Sequence, residues 1–240
     1  MTDFSPLSSQ LFRTKGDTLA ALRSYPELRI PPFIHFTLAE WRNDPAETAR
    51  RARNAVSGPA AVRSSCLRED GEAASGAGEF LSLLDVDAAS GQDLEQAVEA
   101  VFGSYGEAAD GDQVIVQAMV PDVSVSGVIM TRVPDNGAPY SAIDYDDESG
   151  RTDTITGGTG VCKTVFIYRH ADGSNFDSER VRSYVEFARR IESICGRDDL
   201  DIEFCQDRDG AMHLFQVRPL CTRAGWIPGV DAHLSRNIGH

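Results

Sequence analysis

The chain has 240 residues, 41% hydrophobic and 25% charged, which is ordinary for a globular protein and enough for one large domain or two closely packed lobes. Its net charge of −14 excludes nonspecific binding to nucleic acid or an anionic membrane, and any anionic ligand must be met by local positive charge or a metal. The five cysteines (Cys66, Cys162, Cys195, Cys205 and Cys221) form no CxxC pair, no apolar run approaches the ~18 residues of a membrane span, and MTDFSPLSSQ lacks the pattern of a leader; reduced thiols in a cytoplasmic protein are expected.

Residues 10–25 read as a loop into a short helix, capped by Asp17 or Thr18, with Leu19 and Leu22 inward. RIPPFIHFT follows as an extended segment. Residues 38–57 read as helical, interrupted or restarted near Pro45, with Arg50, Arg51 and Arg53 on a solvated face. Residues 60–62 start a buried strand that Arg63-Ser64-Ser65 leaves, and residues 71–78 are a loop of small residues. Residues 91–105 read as an amphipathic helix, with Leu94, Ala97, Val98 and Val101 at helical spacing. Residues 113–120, 125–132, 140–145 and 164–168 read as strands, with a turn at residues 134–137. The acidic run Asp144, Asp146, Asp147 and Glu148 reads as a solvated loop and not a second metal site. Residues 177–195 are the clearest helix, started near Ser178 and ended by Gly196. After Leu220 there is no regular pattern.

Before that tail stands DIEFCQDRDGAMHLFQVRP, residues 201–219, read as two strands and a tight turn. Asp201, Glu203 and Cys205 share one face of the first strand, and Met212, Leu214, Gln216 and Arg218 share one face of the second. If those faces coincide, two carboxylates, an amide oxygen and a guanidinium converge. Such oxygen ligands suit Mg²⁺, and an arginine beside them suits a phosphate. An ordinary charged surface hairpin has the same spacing.

DIEF, a turn and FQVRP resemble the end of the ATP-grasp domain of the phosphoenolpyruvate synthase and pyruvate phosphate dikinase family. Other motifs match that family in order along residues 11–222. They are Lys15-Gly16 before a helix, VRSSC with ED and a small-residue loop, VIVQAMV, and SGVIMT. Phe33 stands where the family has glycine after its two prolines. Residues 144–163 also depart from the best-known members. They resemble a branch from capsule and natural-product clusters that includes glutamine kinases, and Thr156 to Gly160 would line the γ-phosphate end or form a plain loop.

The resemblance implies an α+β ATP-grasp fold of two lobes with ATP in the cleft between them. The lobes are expected at residues 1–110 and 111–222, with a tail or linker at 223–240. It implies ATP and Mg²⁺ as cofactors. Lys15, Arg63 and Arg218 take the catalytic, phosphate-binding role, and Glu203 and Gln216 hold the metal. Gln117, Met119 and Val120 form the adenine segment. Full-length relatives carry a swivelling domain whose histidine, in a Thr-Ser-His context, becomes phosphorylated. Of His35, His170, His213, His233 and His240, none follows Thr-Ser. The expectation is therefore a nucleotide-binding module. It would act with a phosphohistidine-carrying partner and a small acceptor such as glutamine or a hydroxyl compound. The alternatives are a self-contained kinase that transfers the γ-phosphoryl group directly and a non-catalytic ATP-binding subunit.

Overall fold

A computed structural model describes residues 11–66, 80–152, 162–171 and 176–220, together with Trp226 and residues 229–230 and 233–234. The expected small-residue loop at 71–78, the Thr156 to Gly160 segment and Cys221 lie outside these. The chain forms two compact units. One comprises Phe12–Asp122 and His213–Phe215, and the other comprises Met1–Leu11, Val123–Met212 and Gln216–His240. The main division falls after Asp122, where the sequence placed it after residue 110. The reason is β4 (Gln113–Ala118), which hydrogen-bonds to strands on both sides within the first unit.

In the first unit, β1 (Phe33–Thr37), β2 (Pro59–Ser65), β3 (Ser82–Asp87) and β4 form an antiparallel sheet in the order β1-β4-β2-β3. One face carries Phe36, Ala60, Val62, Val114 and Val116 into the core. Three helices supply the rest of that core: α2 (Leu38–Asn43), α3 (Pro45–Ala55) and α4 (Gly91–Gly103). Pro45 restarts the helix at its first turn, with the Asp44 side chain capping the Glu47 amide. Arg50, Arg51 and Arg53 face solvent.

Three local expectations change. Helix α1 (Lys15–Leu22) begins at Lys15 and is capped by Thr14, whose hydroxyl accepts from the Asp17 amide at 3.1 Å, so neither Asp17 nor Thr18 is the cap. Arg63, Ser64 and Ser65 stay in β2 and do not leave it. Strand β3 was not foreseen. Its Asp85 sits at φ 57°, and the β2–β3 register shifts there by one residue, which breaks the alternation that marks a strand.

The second sheet is made by β5 (Val123–Met130), β6 (Tyr140–Asp146), β7 (Lys163–Tyr168), β8 (Leu200–Asp207) and β9 (Met212–Pro219) in the order β7-β6-β5-β8-β9; all of it lies in the second unit except His213–Phe215 of β9. Helix α5 (Glu179–Cys195) covers one face through Tyr184 and Phe187 on Phe204, and Tyr184 on Tyr145. Gly127 lies between Tyr145 and Phe204 in register. Burial pushes the Cys195 and Cys205 thiols up to about 12. Trp226 is no free tail residue. Its indole N–H donates to the Pro134 carbonyl at 3.0 Å, and its ring fills the space over Gly137. Among the described residues no helix is long and apolar enough to cross a membrane.

The acidic run is not a solvated loop. Asp144 and Asp146 are strand residues, and Asp146 is buried, accepting from the Glu148 and Ser149 amides. Asp147 accepts from Lys163 Nζ at 2.6 Å and from the Arg180 guanidinium, tying β6 to β7 and α5. Those bonds, Lys163 first, hold the Asp147 carboxyl below its ordinary value. The stabilisation is therefore fully present above the unfolded carboxylate pKa and is lost as pH falls through the lowered one. Urea midpoints followed from about pH 6 to about pH 3 are expected to fall more steeply for the wild type than for Asp147→Asn, which lacks the charge throughout.

A Cβ at Gly127 would stand 2.6 Å from the Phe204 ring and 2.8 Å from the Asp144 carbonyl oxygen. Gly127→Ala is expected to lower unfolding free energy by about 1–3 kcal/mol, measured by urea denaturation, because backbone on one side and a packed ring on the other leave no room.

Candidate functional site

The first unit gathers polar residues on the sheet face opposite its main core. Side chains paired directly across antiparallel strands share a face, so the register gives three rows. They are Thr37–Gln113–Ser65, His35–Ile115–Arg63 and Phe33–Gln117–Ala61. Arg63 and Gln117 thus lie on one face in neighbouring rows. Arg63 Nη1 donates to the Phe215 carbonyl at 3.3 Å, a bond within this unit.

Lys15 is brought to the same face by the start of α1. Thr14 Oγ1 donates to Gln113 Oε1 at 2.6 Å, and the Gly16 amide donates to Ser65 Oγ at 3.0 Å. Helix α1 lies against β1 and β4. Of the adenine segment, Gln117 is 2% exposed, and its Nε2 has no hydrogen-bond partner among the described residues. A buried amide donor without an acceptor costs on the order of 1–3 kcal/mol, so a ligand acceptor there is favoured. The Ala118 and Met119 amides go to the Pro32 and Pro59 carbonyls at 2.8 and 3.0 Å, which fixes the strand end that Val120 follows.

In the second unit the face away from α5 also carries charge. The register gives the rows Thr164–Asp144–Val128–Glu203 and Phe166–Ala142–Met130–Asp201. Arg218 closes the second row, because its Nε and Nη2 each lie 3.0 Å from Asp201 Oδ2. Both side chains are largely buried. Asp201 shares its face with Glu203, so that pair brings Arg218 to the side that carries Glu203.

The hairpin needs an irregularity to do this. Its turn closes with the Asp207 amide on the Ala211 carbonyl at 3.1 Å, while the far end has the Leu220 amide on the Asp199 carbonyl at 2.9 Å. Those bonds differ by one residue in register, so β9 carries one extra residue between them. Without it, the turn's register would carry Gln216 opposite Ile202, toward the face under α5.

The donor set fits the expected cofactors. Glu203 and Gln216 both offer oxygens, and Gln216 is only 3% exposed. Among the described residues no three His, Cys, Asp or Glu side chains form a metal-sized cluster. Two protein oxygens suit Mg²⁺, which keeps waters and completes its shell with substrate phosphates. Sequence reading missed Ser65, Gln113 and His35, which with Asp17 fix the start of α1, and it placed in a solvated loop Asp144, whose carboxylate accepts from Thr164 Oγ1 at 2.5 Å. The available signal was polar side chains recurring at every second strand position.

No protein-family model matches the chain, and no curated protein sequence matches it. Solved structures do resemble it. The VanG D-Ala:D-Ser ligase of Enterococcus faecalis is 17% identical with a TM-score of 0.50, over 95% of this chain and 59% of that one. D-alanyl-alanine synthetase A of Vibrio cholerae is 18% identical with a TM-score of 0.46, over 91% and 60%. A RimK domain ATP-grasp protein of Sphaerobacter thermophilus is 17% identical with a TM-score of 0.45, over 94% and 64%. The chain thus spans less than two thirds of each. At these identities the likeness is one of fold, and the Enterococcus ligase carries it. The chain is an α+β protein with the ATP-grasp fold.

Proposed function

We propose that the chain is the ATP- and Mg²⁺-binding module of a dikinase-type phosphotransferase, which phosphorylates a histidine of a partner domain or protein for onward transfer to a small acceptor. The observation that supports this reading is the Asp201–Arg218 pair, which brings Arg218 to the sheet face that carries Glu203. Glu203 and Gln216 hold the metal through oxygen. Arg218, oriented by Asp201, meets phosphate oxygens, and Lys15 and Arg63 add positive charge that a chain of net charge −14 must supply locally. Gln117 gives its buried amide hydrogens to the nucleotide, beside the backbone of Met119 and Val120. Bound Mg²⁺ supplies charge neutralisation at the phosphates. Positioning and electrostatic stabilisation are most of what phosphoryl transfer requires.

The partner's imidazole takes the pyrophosphoryl group as AMP leaves, and water then releases the terminal phosphate to leave phosphohistidine. A second reading is direct γ-phosphoryl transfer to a small acceptor. The products separate them: AMP with phosphate for the first, ADP for the second.

Glu203→Ala is expected to lower Mg²⁺-dependent ATP turnover with a partner by about 10²-fold or more while leaving the circular dichroism unchanged. Unchanged turnover in that variant would remove Glu203 from the metal and overturn the assignment.

A further inference from the structure

We infer that Gln113 and Ser65 are positioning residues that hold Lys15 and Arg63 in fixed relation. The inference rests on the ATP-binding reading above. Buried polar groups are costly unless satisfied, and satisfied clusters specify geometry. Gln113 is 7% exposed, and Ser65 and Thr14 are buried with it. Their bonds converge on the first turn of α1. Gln113 Oε1 accepts from Thr14 Oγ1 at 2.6 Å and lies 3.4 Å from Ser65 Oγ. Gln113 Nε2 donates to Asp17 Oδ1 at 3.2 Å, and His35 Nε2 lies 3.2 Å from the same oxygen. The Gly16 amide donates to Ser65 Oγ.

Gly16 adds a steric constraint. A Cβ there would stand 2.8 Å from His35 Cβ and 2.9 Å from Gln113 Oε1, so the backbone approaches the sheet as closely as glycine allows. Lys15 therefore has a pinned residue on each side. Arg63 stands two residues before Ser65 on the same strand and the same face. The lysine on the helix and the arginine on the strand are fixed to one another through Ser65 and Gln113. A polyphosphate needs its cations at set separations, and a displacement of about 1 Å is enough to cost ~10²-fold in function.

The test is calorimetric titration of wild type, Gln113→Leu, Lys15→Ala and the double variant with Mg·ATP and with adenosine. Gln113→Leu is expected to weaken Mg·ATP about tenfold or more and to leave adenosine, which has no phosphates, within about twofold. The double variant is expected to bind Mg·ATP no more weakly than Lys15→Ala alone, because Gln113 acts through Lys15. Ser65→Ala, a smaller change, carries the same expectation should Gln113→Leu fail to fold. Equal weakening of both ligands, full additivity with Lys15→Ala, or unchanged Mg·ATP affinity would overturn the positioning role. Wild type binding neither ligand would overturn the nucleotide reading itself, and the positioning role with it.

Discussion

An antiparallel strand shows alternate side chains to opposite faces, and in both sheets one face lies under helices. Everything else about the candidate site depends on that constraint. In the first unit Val62 goes to the helical core while Arg63 goes to the other face. In the second, Phe204 packs beneath α5 while Glu203 shows on the other side. Chemistry-bearing residues therefore sit one position away from core residues, and a slip of one residue would exchange them. The extra residue in β9 is the place where this register is adjusted.

Much of the fold was legible because its elements carry simple signals. Helix α5 has its Ser178 cap, its apolar stripe and a left-handed Gly196 at its end. Strands β4 and β5 are continuous buried runs. Strand β3 was hidden because Asp85 takes a left-handed conformation and breaks the period. The start of α1 was hidden because Gly16 reads as a helix breaker. Its role is to let the helix approach His35 and Gln113, which are distant in sequence. Whether the hairpin faces coincide was also hidden, since the extra residue in β9 leaves no mark in the alternation of either strand.

The polar residues divide by what holds them. Asp147, Lys163 and Arg180 tie elements together, as do Arg169 and Glu192, where burial raises the glutamate against the pull of the arginine. Asp201 is partnered in a way that leaves Arg218 oriented on the face carrying Glu203. Gln117 differs from these, since its buried Nε2 has no partner among the described residues. Structural pairing accounts for the first group and does not account for the buried donor of Gln117.

The most direct test of the central claim is calorimetric titration of the wild-type chain with ATP, in the presence of Mg²⁺ and then with the metal chelated. The account predicts saturable binding with Mg²⁺ and at least about tenfold weaker binding without it, because Glu203 and Gln216 would hold the metal that neutralises the phosphates. Absence of binding, or binding indifferent to Mg²⁺, would contradict it.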